Sequence, residues 1–148
     1  MKSKKWIIRN SQDIYVKKAK NEGYVSRSAF KLLEIENKFH FIVKSKDILE
    51  LGSSPGGWSQ VICKINKKAK VDSFDLLNMN FIHKNITFYK KDYMEFNFEK
   101  LNKKYDLILS DMAPNTLGHK STDHLRIVSL IENIITILEK IAQKNCNF

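Results

Sequence analysis

Three aspartates stand just behind three short apolar runs: Asp75 ends KVDSFD, Asp92 follows ITFYKK, and Asp111 follows YDLILS. A fourth run, DILEL (47–51), leads into Gly52-Ser53-Ser54-Pro55-Gly56-Gly57-Trp58. Glycines behind a strand let the backbone approach a ligand with no side chain in the way. A carboxylate ending the second strand is placed to accept both hydroxyls of a ribose. One behind the third strand is placed to meet an adenine amino group. The glycine spacing departs from G-x-G-x-x-G, and no Gly-Lys-Ser/Thr follows, so this turn is not built for a diphosphate. A single aspartate at a strand end is more often a cap or turn residue, and Trp58 alone reads as core packing. The weight lies in the joint order. A nucleoside without a pyrophosphate, held among carboxylates, suits S-adenosylmethionine, whose sulfonium and ammonium are positive.

The elements that must hold these residues follow from periodicity. Residues 11–22 read as a short helix capped by Ser11 and stopped by Gly23. Ser26 caps a second helix over 27–38, with Ala29, Phe30, Leu33 and Asn37 on one side and Leu32 and Ile35 widening the stripe. Ile48, Leu49 and Leu51 mark a strand buried on both faces. A helix is expected over 57–66, and strands over 70–76, 86–90 and 105–110. Residues 78–85 hold at most a poor helical turn. A long helix opens at Ser121 or Thr122 and runs to about Gln143, with a stripe of Ile127, Leu130, Ile131, Ile134, Leu138, Ile141 and Ala142. Such alternation predicts an α/β fold with a mostly parallel open sheet. After the long helix a further strand is expected. Its absence from residues 1–148 leaves the fourth strand with an uncovered edge.

The chain has 148 residues and a net charge of +10, from 26 Lys+Arg against 16 Asp+Glu. That length predicts one domain: a basic arm at 1–10, two RNA-facing helices within 11–38, and the first part of a cofactor-binding sheet at 47–148. Residues 1–31 hold nine basic residues against Asp13 and Glu22. A lysine-rich composition alone raises net charge, but clustering favours a nucleic-acid surface. Arg9, Lys17, Lys18, Lys20 and Arg27 are its candidates, and phosphate contacts of that kind weaken steeply with salt. No apolar run approaches the ~18 residues of a membrane span, and MKSKKWIIRNSQD lacks the features of a signal peptide. Cys63 and Cys146 form no metal or disulfide pattern. His40, His83, His119 and His124 show no ligand spacing, so no metal is expected. The expectation is a cytoplasmic monomer away from membranes.

The sequence resembles the FtsJ/RrmJ family of ribosomal RNA 2′-O-methyltransferases. The resemblance is carried by YVSRSAFKLLEI (24–35), DILELGSSPGGWSQ (47–60), FDLLNM (74–79), KKDY (90–93) and LSDMAPNTLGHKSTDH (109–124). It extends from about Trp6 onward, and PGGWSQ together with SDMAPN is highly specific. It implies a Rossmann-like S-adenosylmethionine-dependent fold, with Gly56, Trp58, Asp75, Asp92 and Asp111 lining the cofactor site. In spacing the chain looks like the bacterial type that methylates a uridine of large-subunit ribosomal RNA, in ribosome assembly. The family implies a catalytic Lys-Asp-Lys-Glu tetrad, of which Lys31 and Asp111 match. The second lysine, on the strand after the long helix, and the glutamate would fall beyond Phe148. Glu50 stands where the family usually shows aspartate, and Ser53-Ser54 where it often shows two alanines.

The reaction implied is in-line methyl transfer from sulfur to a ribose 2′-oxygen, with positioning supplying much of the rate. A lysine serves as base only with a depressed pKa, or else stabilises the developing oxyanion. On this reading the 148 residues alone are weak or inactive. The alternative is a truncated or degenerate relative that binds cofactor or RNA without catalysis, yet RNA binding alone needs neither Asp75 nor Asp92. An amino-group methyltransferase is disfavoured by Asp111-Met112-Ala113-Pro114, which lacks the Asn/Asp-Pro-Pro-aromatic turn. A dehydrogenase is disfavoured by the glycine spacing.

Overall fold

The computed structural model describes residues 13–113, 118 and 120–148. Trp6, the arm, Ser11, Pro114, Asn115 and His119 lie outside them. Helix α1 spans Ile14–Asn21 and is capped by Asp13, whose side chain accepts from Tyr15 N at 2.8 Å. Gly23, at φ 73°, follows its last turn. Helix α2 spans Ala29–Phe39. The expected cap at Ser26 is not made. Ser28 is the cap residue, and the two hydroxyls instead bond each other at 2.6 Å. The far end of α2 is closed by His40, in left-handed conformation, and by the buried Glu36 carboxylate, which accepts from Ile42 N and Val43 N.

A single 3-10 turn (Ile42–Lys44) leads into β1 (Asp47–Leu51), followed by α3 (Gly57–Ile65), β2 (Lys70–Phe74) and β3 (Ile86–Tyr89). Between β2 and β3 no helix forms, as the polar 78–85 stretch suggests. Two 3-10 turns precede β4 (Tyr105–Ser110). Helix α4 (Lys120–Ile141) then feeds β5 (Ala142–Asn147). All five strands are parallel, in the order β3-β2-β1-β4-β5.

β5 corrects the expected bare edge: it pairs with β4 from Tyr105↔Ala142 to Leu107↔Asn147. Its register shifts between those points, where Asn145 takes φ 69°, as a bulged strand does. AQKNCN carries no apolar run. The hydrogen-bonding groups of β4 therefore recruit it, rather than any burial pattern of its own.

Apart from Tyr105 at the start of β4, the strand side chains alternate between two cores. Ile48, Val71, Leu107 and Leu109 pack with Ala29, Leu32, Trp58, Val61 and Ile62 under α2 and α3. Leu49, Leu51, Phe74, Tyr105 and Ile108 pack with Ile134 and Ile141 of α4 and with Phe98. Helix α4 does not bury its whole expected stripe. Ile134 and Ile141 are buried and Leu130, Ile137 and Leu138 pack beside them, but Ile127 and Ile131 stay exposed. Because the chain leaves β1 toward β2 in one direction and passes from β4 to β5 in the other, α3 and α4 fall on opposite faces. Strand order therefore reverses between β1 and β4, and ligands of open α/β sheets bind at that point, outside the carboxyl ends.

Candidate functional site

The turn after β1 is tied to the end of β2. Gly52 N and Ser53 N both donate to Phe74 O, at 2.9 and 3.2 Å. Asp75 then receives Ser54 N on one carboxylate oxygen and Leu77 N on the other, each at 2.8 Å. Only Gly fits at two positions. Gly52 has φ 77°, and a Cβ there would lie 2.5 Å from Met112 Cγ. Gly56 has φ 112°, and a Cβ there would lie 2.7 Å from Phe81 Cβ. The segment carrying Phe81 is held over the turn by Asn80 N donating to Pro55 O and Ser54 Oγ donating to Asn78 O, both at 2.9 Å.

Asp92 caps a 3-10 turn by accepting from Met94 N at 2.9 Å on one oxygen. Asp75, Asp92 and Asp111 thus stand at the carboxyl ends of β2, β3 and β4, on one rim of the sheet. A carboxylate offers about four acceptor sites. Asp75 spends two on backbone and Asp92 one, so each is both a turn residue and an acceptor with capacity left. The Ser53 hydroxyl is buried in the glycine turn with no partner among the described residues. A glycine turn, an orphaned hydroxyl and three carboxylates fit a ligand bearing ribose hydroxyls and positive charge.

Lys31 and Asp111 lie 80 residues apart in sequence and meet at 2.9 Å, Nζ to Oδ1. Three contacts set Lys31 there. Gln60 accepts from Val25 N and donates to Gly23 O, clamping the link between α1 and α2. Trp58 donates its indole N–H to Ser28 O at 2.8 Å. Gly57 packs against the Ser26 and Ser28 hydroxyls. The start of α2 is thereby locked onto the start of α3, and Lys31 stands in the first turn of α2. On the other side, Asp111 N donates to Leu51 O at 3.3 Å, holding Asp111 at the mouth between β1 and β4. Trp58 is buried in the core beneath α2 and positions Lys31 through that lock.

β5 carries a lysine, Lys144. It does not reach this pair. Asn147 is level with Leu107, three residues short of Ser110, so Lys144 lies more than about 10 Å below the rim at ~3.3 Å per residue.

The basic candidates divide. Lys17 and Lys20 are exposed with no ion pair among the described residues. Lys18 pairs with Glu22 at 3.8 Å and stands 4.6 Å over the Phe30 ring. Arg27 is held by Asp13, bracing the start of α1. Arg9 lies outside the described residues.

Sequence reasoning missed the buried role of Glu50. It points from β1 toward α3, where Ser59 and Ser73 both donate to one oxygen while the other has no partner among the described residues. Burial pushes its carboxyl up to about 7, against the two serine bonds. The signal was a charged residue inside an apolar run. Among the described residues no group of three or more His, Cys, Asp or Glu is placed to hold a metal.

Residues 24–148 match the model of the FtsJ-like methyltransferases. The chain belongs to that family. It is 41% identical over 158 aligned positions to the ribosomal RNA large subunit methyltransferase E of Rickettsia typhi, covering 99% of this chain and 69% of that protein. It is 45% identical to the protein of the same name from Novosphingobium aromaticivorans, covering 90% of this chain and 62% of that one. The chain thus spans about three fifths to two thirds of these relatives' lengths. Among solved structures, a Plasmodium falciparum protein assigned as a ribosomal RNA methyltransferase superposes with a TM-score of 0.73 at 35% identity, over 81% of this chain and 73% of that one. The open parallel sheet is therefore the methyltransferase fold that the motifs imply.

Proposed function

We propose that these residues belong to an enzyme that methylates large-subunit ribosomal RNA with S-adenosylmethionine, at the ribose 2′-oxygen of a uridine, as a step of ribosome assembly, and that they supply its cofactor site and two of its catalytic groups. The observation that carries this reading is the Lys31–Asp111 pair. A lysine from a helix and an aspartate from a strand end meet beside the glycine turn, where no structural need calls for a partly exposed ion pair. The relatives' names supply the RNA, and the motifs from PGGWSQ to SDMAPN supply the ribose chemistry.

Asp75 and Asp92 would hold the ribose hydroxyls and adenine amino group of S-adenosylmethionine, and Gly52, Gly56 and Asp111 would border its methionine end. When bound, that group supplies an electrophilic methyl. The chain's own residues do the rest. Asp111 orients the Lys31 ammonium, and Lys31 presents a donor where negative charge develops on the ribose oxygen. Met79, Phe81 and Met112 give the glycine turn an apolar border. RNA approaches past Lys17 and Lys20 on α1, with the 1–10 arm adding charge.

The test is equilibrium binding of S-adenosylmethionine to the chain, followed by single-turnover transfer of labelled methyl to large-subunit RNA lacking the modification. Cofactor binding lost in Asp75→Ala supports the site. Label appearing on a base or on protein, rather than on a ribose 2′-oxygen, would overturn the reaction assigned.

A further inference from the structure

The rim opposite the cofactor mouth is also charged, with the other sign. Reading the amino ends of the strands in sheet order, Lys84 precedes β3, Lys68 and Lys70 flank the start of β2, Lys46 precedes β1, Lys104 precedes β4 and Lys140 precedes β5. All six are exposed. None is in an ion pair among the described residues. Backbone bonds fix them side by side. Lys70 N donates to Lys46 O at 2.8 Å, Val71 N to Asn85 O at 2.8 Å, and the Gln143 side chain to Lys104 O at 3.0 Å. Five strands at ~4.8 Å spacing make this row about 19 Å long.

The nearby carboxylates offset part of this charge and leave a positive excess: with Lys103, seven lysines stand against Asp47, Asp72, Asp106, Glu99 and Glu139. Asp106 spends its two oxygens on the backbone N–H groups of Lys46 and Asp47, at 2.8 and 3.2 Å. Asp72 is buried and takes both Tyr105 Oη at 2.7 Å and Lys103 Nζ at 2.6 Å. Asp47 shares the same Lys103 at 3.6 Å. Lys103 thus serves the inward acids, while the other lysines face water. Glu99 and Glu139 are the exposed carboxylates beside the β4–β5 end. A cation in the last turn of a helix has a local reason to be there, and that explains Lys140. It does not explain Lys46, Lys84 or Lys104, which lead into strands.

We propose that this amino-end rim is a second RNA surface, gripping the phosphate backbone of a ribosomal RNA segment on the side of the molecule opposite Lys31 and Asp111. The inference rests on the reading that RNA is the substrate. A duplex segment of ~19 Å carries on the order of ten phosphates, so a row of this length faces enough charge to use all six lysines. With α1 on one side and the rim on the other, the chain would be held between two RNA segments, as suits a folded ribosomal particle better than a short free strand.

The test compares two variants of the full chain: Lys46→Gln, Lys68→Gln, Lys84→Gln and Lys104→Gln together, and Lys17→Gln with Lys20→Gln. The probe is a transcript of large-subunit ribosomal RNA, titrated from 50 to 200 mM salt. The rim variant should bind about tenfold or more weakly at 100 mM salt, with the log–log salt slope reduced by about 3. Its thermal midpoint and S-adenosylmethionine affinity should match wild type. RNA should also protect these four lysines from acetylation in the wild-type chain. If the rim variant binds RNA as wild type does while the α1 variant is impaired, the rim inference is wrong and the RNA reading stands. If the wild-type chain binds no RNA, both fall. Binding of the wild type to phosphatidylserine vesicles that the rim variant loses, with RNA binding unchanged, would assign the rim to a membrane surface instead.

Discussion

Each end of the sheet holds a lysine–aspartate pair, and the two do opposite work. At the amino end, Lys103 meets Asp72 at 2.6 Å with side chains 27% and 6% exposed. At the carboxyl end, Lys31 meets Asp111 at 2.9 Å with side chains 65% and 29% exposed. The first is closed: Asp72 also takes the Tyr105 hydroxyl, whose own proton is held more tightly by burial and by that bond. The second is open to water, at the switch point beside the glycine turn. A buried pair is costly to break because one charge is left stranded. An exposed pair contributes little to stability. The same two residue types thus form a structural pair at one rim and, in the function proposed, a working group at the other.

The largest effect should come from breaking the structural pair. Asp72→Ala leaves the buried Tyr105 hydroxyl without its acceptor and Lys103 with Asp47 alone at 3.6 Å, and should lower unfolding free energy by about 3 kcal/mol in urea titration. A loss under ~1 kcal/mol would mean that water reaches this pair and that the contrast between the two rims is overstated.

Glu50 sharpens the comparison, being buried as Asp72 is but without a cation. Folded, it holds a proton up to about pH 7, against 4.5 for the free side chain. The folded state therefore binds more protons than the unfolded one between those values. Its contribution to stability must fall as pH rises from 4.5 to 7, by on the order of 3 kcal/mol. Glu50→Gln keeps an acceptor for Ser59 and Ser73 and carries no charge. The variant should show a flatter stability profile across that window and a higher urea midpoint than wild type at pH 8. Identical profiles for the two proteins would show that Glu50 is not the titrating group.

Asp75 sits between the extremes, half structural and half available. Asp75→Ala should weaken S-adenosylmethionine binding about 30- to 100-fold by calorimetry, the scale of hydrogen bonds to a charged group. It should also loosen the 52–56 turn, costing about 1 kcal/mol of stability. A full stability loss with unchanged cofactor affinity in the folded fraction would make Asp75 a turn residue and nothing more.

The sequence showed some of these roles and hid others for physical reasons. YDLILS is an unbroken apolar run, and β4 spans those same residues. AQKNCN has no such run, and β5 exists because β4 offers it hydrogen bonds. Ile127 and Ile131 share the face of Ile134 and Leu138, seven residues on, yet stay exposed: the period shows which face of α4 is apolar, not how far along the helix the sheet reaches. The three aspartates were legible as strand-end residues. The Lys31–Asp111 contact was not: no periodicity links positions 80 apart, and only the family resemblance pointed to it. Gln60 looked like the tail of a motif, yet its side chain fixes the link that aims α2. Long-range hydrogen bonds of this kind leave no mark in local pattern.

The smallest stability effect should come from the working pair. Lys31→Met removes one exposed ammonium from the first turn of α2, leaving Asp111 in contact with water. The expected change is below ~1 kcal/mol, within a few degrees of thermal midpoint. Any methyl transfer shown by wild type should fall about a hundredfold, the usual scale for losing one donor to developing charge. Lys31→Arg offers the sharper control. A guanidinium can restore the ion pair, but its planar fork does not present a single compact charge at the same point. Stability should return fully and transfer should not. If arginine restores both, Lys31 acts only by holding Asp111 in place. If Lys31→Met costs as much stability as Asp72→Ala, the carboxyl-end pair is structural too, and the division of labour between the two rims fails.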